Sequence, residues 1–324
     1  MRNAHKLLWS LLMSTSLMVM VACNGMDEGE PALEIDSELM DIPTTLKSLE
    51  NGDLDQGYPD ARVRKPTYAT FNAALGVSGL ASVFARNELT VFAPTDAAFA
   101  ALNLNPGNIR NQANLKEILL YHVVAGTVLA SDLEEGFVPT LNGAAVEISL
   151  ISGAMVNNAN IILTDKRARN GVIHGIDAVL LPPTQNIVEL ASGIDDFSIL
   201  VAAVVAAELV DDLANTNNLT VFAPTNAAFL SLLDELEVRS LQELIDKITI
   251  EGLRSVLRYH VLGERVFSTD LTDGNVTTLL GKTFEVDLSG PKLIDLNDRE
   301  SNILKTDVQA SNGVIHVIDH VILP

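Results

Sequence analysis

Four histidines recur at matching places in the two halves of this chain: His122 and His174 in the first, His260 and His316 in the second. Two imidazoles per half suggest a metal site. Zinc, however, takes three or four protein ligands, and the short-spaced HExxH and CxxC patterns do not occur. Each histidine also lies among Val and Ile, as a buried imidazole bonded to backbone would, so all four read as structural. Asp177 and Asp319 lie in the same apolar surroundings. A buried carboxylate must be paired, and capping of nearby amides is expected of both. General acid–base chemistry would need a second placed group, and the spacing supplies none. Asp295, Asn297, Asp298 and Glu300 cluster in DLNDRE, but the EF-hand's central Gly and terminal Glu are missing, which leaves a solvated loop. GxSxG, P-loop and GxGxxG patterns are also absent. No catalytic residue, metal or cofactor is expected.

These residues belong to a repeated frame. LTVFAPTDAAF (Leu89 to Phe99) returns as LTVFAPTNAAF (Leu219 to Phe229), with Asp96 exchanged for Asn226. Tyr121-His122-Val123 returns as Tyr259-His260-Val261, and NGVIHGID (Asn170 to Asp177) as NGVIHVID (Asn312 to Asp319). The offsets are 130, 138 and 142 residues, too long for a solenoid, so one whole folding unit occurs twice.

Elements follow from local pattern. Phe197 to Leu213 is an apolar run of helix formers with Asp195 or Asp196 as N-cap, and Tyr68 to Phe84 is its counterpart, weakened by Gly76 and Gly79. LTVFA is a β-branched strand stopped by Pro94 or Pro224. Thr95-Asp96 and Thr225-Asn226 suit an N-cap, where Asp and Asn are nearly equivalent. Helices are expected at Leu115 to Tyr121 and Leu253 to Tyr259. The remainder is strand-rich, with Val138 to Ile148 aligned on Val276 to Val286. Asn170-Gly171 and Asn312-Gly313 predict type I′ hairpins. The closing strand is apolar on both faces and therefore central.

Arg2 and Lys6 precede an apolar stretch, Leu7 to Ala22, that is short for a membrane span and reads as an export signal over residues 1–22. MVAC (Met20 to Cys23) resembles the bacterial lipobox, with Met20 in place of the usual Leu. Cys23 is the only cysteine, so no intrachain disulfide can form, and lipid attachment at Cys23 is expected. Residues 23–45 read as an acidic tether: seven acids and no Lys or Arg fall between Asn24 and Pro43. Such a stretch resembles the surface-export signal of some Gram-negative lipoproteins, and a plain spacer fits equally. The formal charge of −21, without a basic aromatic stripe, excludes nucleic acid as partner.

The three blocks resemble the fasciclin-like (FAS1) domain family, whose motifs are met by Thr90 to Phe99 and Thr220 to Phe229, by the Tyr-His pairs, and by the two NGVIHxID segments. The resemblance covers residues 46–182 and 184–324. It implies an α+β fold of two tandem domains, each a wedge of two small β-sheets with a helical cluster. It implies adhesion without catalysis or cofactor, through partners such as a protein or polysaccharide on a cell surface or matrix. It marks Tyr121, His122, Tyr259, His260, Asp307 and Val308 as adhesion candidates; Asp165-Lys166 is the weaker match in the first copy. The remaining shared residues, Thr95, Asp96, Thr225, Asn226, Asn170, Gly171, His174, Asp177, Asn312, Gly313, His316 and Asp319, form the structural motif. The expected location is the cell envelope, lipid-anchored to the outer membrane and exposed at the surface. The alternative is an envelope scaffold or polysaccharide-binding lipoprotein facing the periplasm.

Overall fold

The computed structural model describes residues 39–50 and 66–324. The expected export signal, Cys23 and the acidic residues up to 38 lie outside the described residues. The first repeat comprises α1 (Ile42–Glu50), α2 (Ala69–Ser78), α3 (Ala81–Arg86), β1 (Leu89–Pro94), α4 (Asp96–Ala101), α5 (Leu115–Tyr121), β2 (Val123–Ala125), β3 (Gly136–Pro139), β4 (Ala145–Ser149), β5 (Met155–Val156), β6 (Ala159–Ala168) and β7 (Gly171–Ile176). The second comprises α6 (Ile187–Ser192), α7 (Ser198–Ala206), α8 (Val210–Asn215), β8 (Leu219–Pro224), α9 (Asn226–Glu235), α10 (Leu241–Tyr259), β9 (Val261–Leu262), β10 (Gly274–Thr277), β11 (Thr283–Asp287), β12 (Lys292–Ile294), β13 (Glu300–Ala310) and β14 (Gly313–Ile318).

The closing strands are central, as their apolar faces predict. β7 runs parallel to β1 and antiparallel to β6, and β14 does the same between β8 and β13. All residues of β1, β7 and β8 are buried. The two small sheets expected for each repeat are joined: strand order is β2-β1-β7-β6-β5-β4-β3 in the first and β10-β11-β12-β13-β14-β8-β9 in the second. The joint is the long strand β6 or β13, whose register against its neighbour shifts twice. Such bulges bend a strand and increase its twist. Bending brings the two ends of the series together, where the Leu141 amide donates to the Val123 carbonyl at 2.8 Å and Leu279 to Val261 at 2.7 Å.

One core lies between the helices and the sheet, a second inside the curve of the strands. In the first repeat Phe71, Phe84, Leu46 and Leu49 belong to the former, and Phe92, Val146 and Ile148 to the latter. The second repeat has the same pair, with Leu200, Leu232 and Leu257 in one and Phe222, Phe284 and Val286 in the other.

Four local expectations need correction. Phe197 to Leu213 is not one helix: a short turn at Asp195–Phe197 leads into α7, and the chain breaks before α8 at Glu208, whose φ is +56°. Gly79 sits at the same break in the first repeat with φ +74°. Asp195 and Asp196 do not cap α7. Residues 39–45 pack on the first repeat rather than extending the tether, because Ile42 and Thr45 are buried and the Arg169 amide donates to the Met40 carbonyl at 2.8 Å. Finally, the β6–β7 turn is Arg169-Asn170, since Ala168 pairs with Gly171. The β13–β14 turn is likewise Ser311-Asn312. Asn170 and Asn312 have no positive φ, so these are not type I′ turns. The glycines serve the parallel neighbour instead: a Cβ on Gly171 would stand 1.9 Å from the Leu89 carbonyl oxygen, and on Gly313 2.3 Å from that of Leu219. Only glycine admits such an approach.

The two repeats touch directly. Phe137 stacks on Phe267 at 4.4 Å between ring centres and 8° between planes. Ala145, Phe267 and Val314 are buried together, and the Ala145 amide donates to Gln309 Oε1 at 3.2 Å.

Candidate functional site

The residues shared by the repeats turn inward and bind backbone. His122 and His260 follow the last turns of α5 and α10. His122 Nδ1 lies 2.8 Å from the Ile118 carbonyl, and its Nε2 accepts the Leu180 amide at 2.9 Å. His260 repeats this with Val256 at 2.8 Å and Ile322 at 3.1 Å. A carbonyl can only accept and an amide can only donate, so the proton is on Nδ1 and the ring is neutral. His174 and His316 are wired the other way. Their Nε2 atoms donate to Val128 and Val266 at 2.9 Å, and their Nδ1 atoms accept the amides of Asp165 and Asp307 at 3.3 Å. Burial lowers the pKa of all four, against the opposing pull of those carbonyls; His122 and His260 fall to about 4. With both ring nitrogens occupied, none offers a lone pair to a metal. Among the described residues no three His, Cys, Asp or Glu side chains gather as a metal site.

Asn170 and Asn312 clamp the helices to the sheet. Asn170 Nδ2 donates to the carbonyls of Phe84 and Asn87, both at 2.7 Å, and its Oδ1 accepts the Ile42 amide at 3.0 Å. Asn312 likewise holds Leu213, Ala214 and Thr216 through Nδ2 and the Ile187 amide through Oδ1. One side chain thus satisfies carbonyls after one helix and an amide at the start of another.

Thr95 and Thr225 cap α4 and α9, accepting the amides of Ala98 at 3.1 Å and Ala228 at 3.2 Å. Asp96 and Asn226 are the first residues of those helices, and they cap a different helix each. Asp96 accepts the amides of Thr70 at 2.7 Å and Ala69 at 3.2 Å, and Asn226 Oδ1 accepts that of Ile199 at 2.9 Å. Burial works to raise the Asp96 pKa, but the hydrogen bonds from Thr67, Thr70 and Ala69 outweigh it and the net shift is downward.

Asp177 is exposed and Asp319 half-buried, which corrects their expected burial. Their carboxylates nevertheless bind backbone: each takes the amide and the Nδ2 of one asparagine, Asn160 or Asn302, at 2.7 Å. Asp295, expected in a solvated loop, is buried and accepts the amides of Asn297, Arg299 and Leu323.

The adhesion candidates separate into two groups. Tyr121, His122, Tyr259 and His260 are buried. Their hydroxyls donate internally, Tyr121 to the Ala145 carbonyl at 2.8 Å and Tyr259 to that of Thr283 at 2.7 Å. Asp307 and Val308 are half-buried at the bulge of β13. Asp307 has φ +62° and accepts the Ser268 amide at 2.8 Å, with the Ser268 hydroxyl donating to its other oxygen. Asp165 has the same geometry, φ +55° and the Ala130 amide at 2.8 Å.

The description "Fasciclin domain" matches residues 66–182 and 195–324, together more than half of the chain. The chain belongs to the fasciclin domain family. It is 31% identical to the transforming growth factor-beta-induced protein ig-h3 of Sus scrofa over 76% of this chain and 35% of that protein. It is 31% identical to human periostin over 74% of this chain and 29% of that one. The chain thus spans about a third of the length of these curated relatives. A bacterial relative, protein sll1483 of Synechocystis sp., is 42% identical over 43% of this chain and 73% of its own length. A solved FAS1 domain pair from the insect cell adhesion molecule Fasciclin I is 19% identical, covers 79% of this chain and 97% of that chain, and has a TM-score of 0.38.

What the repeat motifs do not reveal is where the fasciclin repeats differ. Phe137 stands where the second repeat has Asn275, and Phe267 where the first has Leu129, each placed by the alignment of the Tyr-His pairs. These unmatched aromatics make the contact between the repeats. The available signal was aromatic residues in only one copy, not residues in both.

Proposed function

We propose that this chain is a non-catalytic adhesion and protein-interaction module, lipid-anchored through Cys23 at the outer membrane and displayed at the cell surface. The supporting observation is the inward use of the shared motif residues. Both nitrogens of every motif histidine and the motif asparagine, threonine and aspartate side chains are engaged with the chain's own backbone. Residues so engaged maintain architecture, and recognition falls to the outer surface, where the repeats differ. The formal charge of −21 favours a neutral or basic partner, a protein or polysaccharide, and disfavours phosphate backbones. Among the described residues no helix is long and apolar enough to cross a membrane, and in this reading the attachment is the lipid on Cys23. At the bulge of the second repeat the proposed contact is Val308, which stands where the first repeat has Lys166, with Asp307 holding the bulge through Ser268.

Two measurements test this together. Protease applied to intact cells should cleave the repeats, and Cys23→Ser should release the protein from the membrane fraction. Protection from protease in intact cells would instead favour the periplasmic scaffold. Weak contacts from two linked repeats multiply by effective concentration, so a surface that retains the tandem should hold either repeat alone at least ~100-fold more weakly. Equal retention by one repeat would remove the argument from linkage.

A further inference from the structure

The helical core of the second repeat contains a partly open apolar pocket of about 40 Å³ that borders His260. A cavity needs roughly 10–15 Å³ to admit one water, so this one is large enough, but its lining is aliphatic apart from an imidazole whose nitrogens are both occupied. An aliphatic lining of this kind offers water no partners and suits an apolar ligand. Beside it lies an outer cleft of about 280 Å³, and the two share Leu213, Leu257 and Val261 as walls. Arg258 and Asp212 also line the cleft. Their ion pair is long at 3.8 Å and both side chains are about half exposed or more, so the guanidinium keeps donors free for an incoming carboxylate.

The first repeat shows how the cavity arises. The motif bonds fix the alignment: Thr70 matches Ile199 through Asp96 and Asn226, Phe84 matches Leu213 through the Asn170 and Asn312 clamps, and Ile42 matches Ile187 through the same clamps. At four of the walls the larger residue is in the first repeat, while at Val188 and Val201, which match Pro43 and Asn72, it is in the second. Leu46 corresponds to Ala191, Phe71 to Leu200, Leu75 to Val204, and Phe84 to Leu213. In the first repeat the Phe71 and Phe84 rings meet edge to face at 6.3 Å, and Phe71 reaches His122 at 6.0 Å. Those rings fill the space that the second repeat leaves open beside His260. Four reductions around one point, only partly offset at Val188 and Val201, leave space open that packing alone would fill, because residual cavities destabilise in proportion to their volume.

We propose that the second repeat binds a single hydrocarbon chain with an anionic head, such as a fatty acid. The tail passes from the outer cleft between Leu213 and Leu257 into the cavity, and the carboxylate pairs with Arg258. The first repeat does not bind it.

The test titrates decanoate into the full chain carrying Cys23→Ser, which keeps attached lipid out of the assay, and follows heat and the methyl NMR signals of the leucines. One saturable site is expected, with shifts at Leu200 and Leu213. Restoring first-repeat residues by Ala191→Leu, Leu200→Phe and Leu213→Phe should abolish binding and raise the ligand-free melting temperature by roughly 2–4 °C. Should the triple variant fail to fold, Leu213→Phe alone should weaken binding at least ~10-fold. Arg258→Ala should weaken decanoate at least ~10-fold while leaving decanol unaffected, which separates head from tail. Absence of saturable binding, or undiminished binding by the refilled and folded variants, overturns the proposal. Neither outcome bears on adhesion, which uses the outer surface.

Discussion

Each motif histidine is a neutral cross-link between backbone segments, and its chemistry sets a pH response. The His122 and His260 pKa values fall from 6.5 to about 4 on folding, principally through burial. A folded pKa below the unfolded one means that the unfolded chain takes up the proton first. The contribution to stability is therefore complete above about pH 6.5 and is lost as pH falls toward 4, about 3 kcal/mol for each of these two residues. His174 and His316 shift in the same direction. Urea unfolding of the intact chain should show stability falling across that window. His122→Phe should lower stability at pH 7.5 by about 2–4 kcal/mol, since the Leu180 amide and Ile118 carbonyl lose their partner, and should flatten the slope between pH 6.5 and 4. An unchanged slope in that variant would show that other groups carry the response.

At the scale of elements, the helix that breaks at Glu208 shows tertiary packing overriding propensity. The run Phe197 to Leu213 holds helix formers throughout, but α7 packs against α6, α9 and α10 while α8 turns back onto α6, and a straight rod cannot do both. Glu208 takes φ +56° at the break, a region that costs a non-glycine residue roughly 1–2 kcal/mol, where Gly79 serves in the first repeat. Glu208 does pair with Arg254 at 2.7 Å, but its side chain is 81% exposed and such pairs contribute little. Glu208→Gly should therefore raise stability by about 0.5–1 kcal/mol in denaturant melts; a loss would show that the Arg254 pair matters more than backbone strain. The same logic explains the shifted hairpin. Asn-Gly is a strong local turn signal, but here Asn170 is required as a clamp and Gly171 as clearance for Leu89, and these long-range demands place the turn one residue earlier.

For the whole molecule, the stacked pair Phe137 and Phe267 with Ala145, Val314 and Gln309 joins the repeats into a coupled body. A stacked aromatic pair adds about 0.5–1.5 kcal/mol beyond the area it buries. In calorimetry the intact chain should unfold with its repeats coupled, and Phe137→Ala with Phe267→Ala should split the transition in two while each repeat keeps its secondary structure. A single unchanged transition in the double variant would place the coupling elsewhere. The order of the repeats carries the asymmetry: the motif frame is the same in both, and the inter-repeat aromatics and the cavity walls are where they diverge.

The sequence by itself determined the duplication, the family, the central place of the closing strand, and the buried, backbone-bonded setting of the histidines. Those features rest on blocks of residues close together in the chain and repeated twice, so local pattern and internal comparison suffice. Only the tertiary structure decided that Tyr121 and Tyr259 face inward, that Asp96 and Asn226 cap a helix 26 or more residues away, that the strands run as one bent series, and that an apolar pocket opens in the second repeat where the first has the Phe71 and Phe84 rings. Each of these depends on which distant backbone groups remain unsatisfied, or how much volume remains unfilled, once all the elements have packed together.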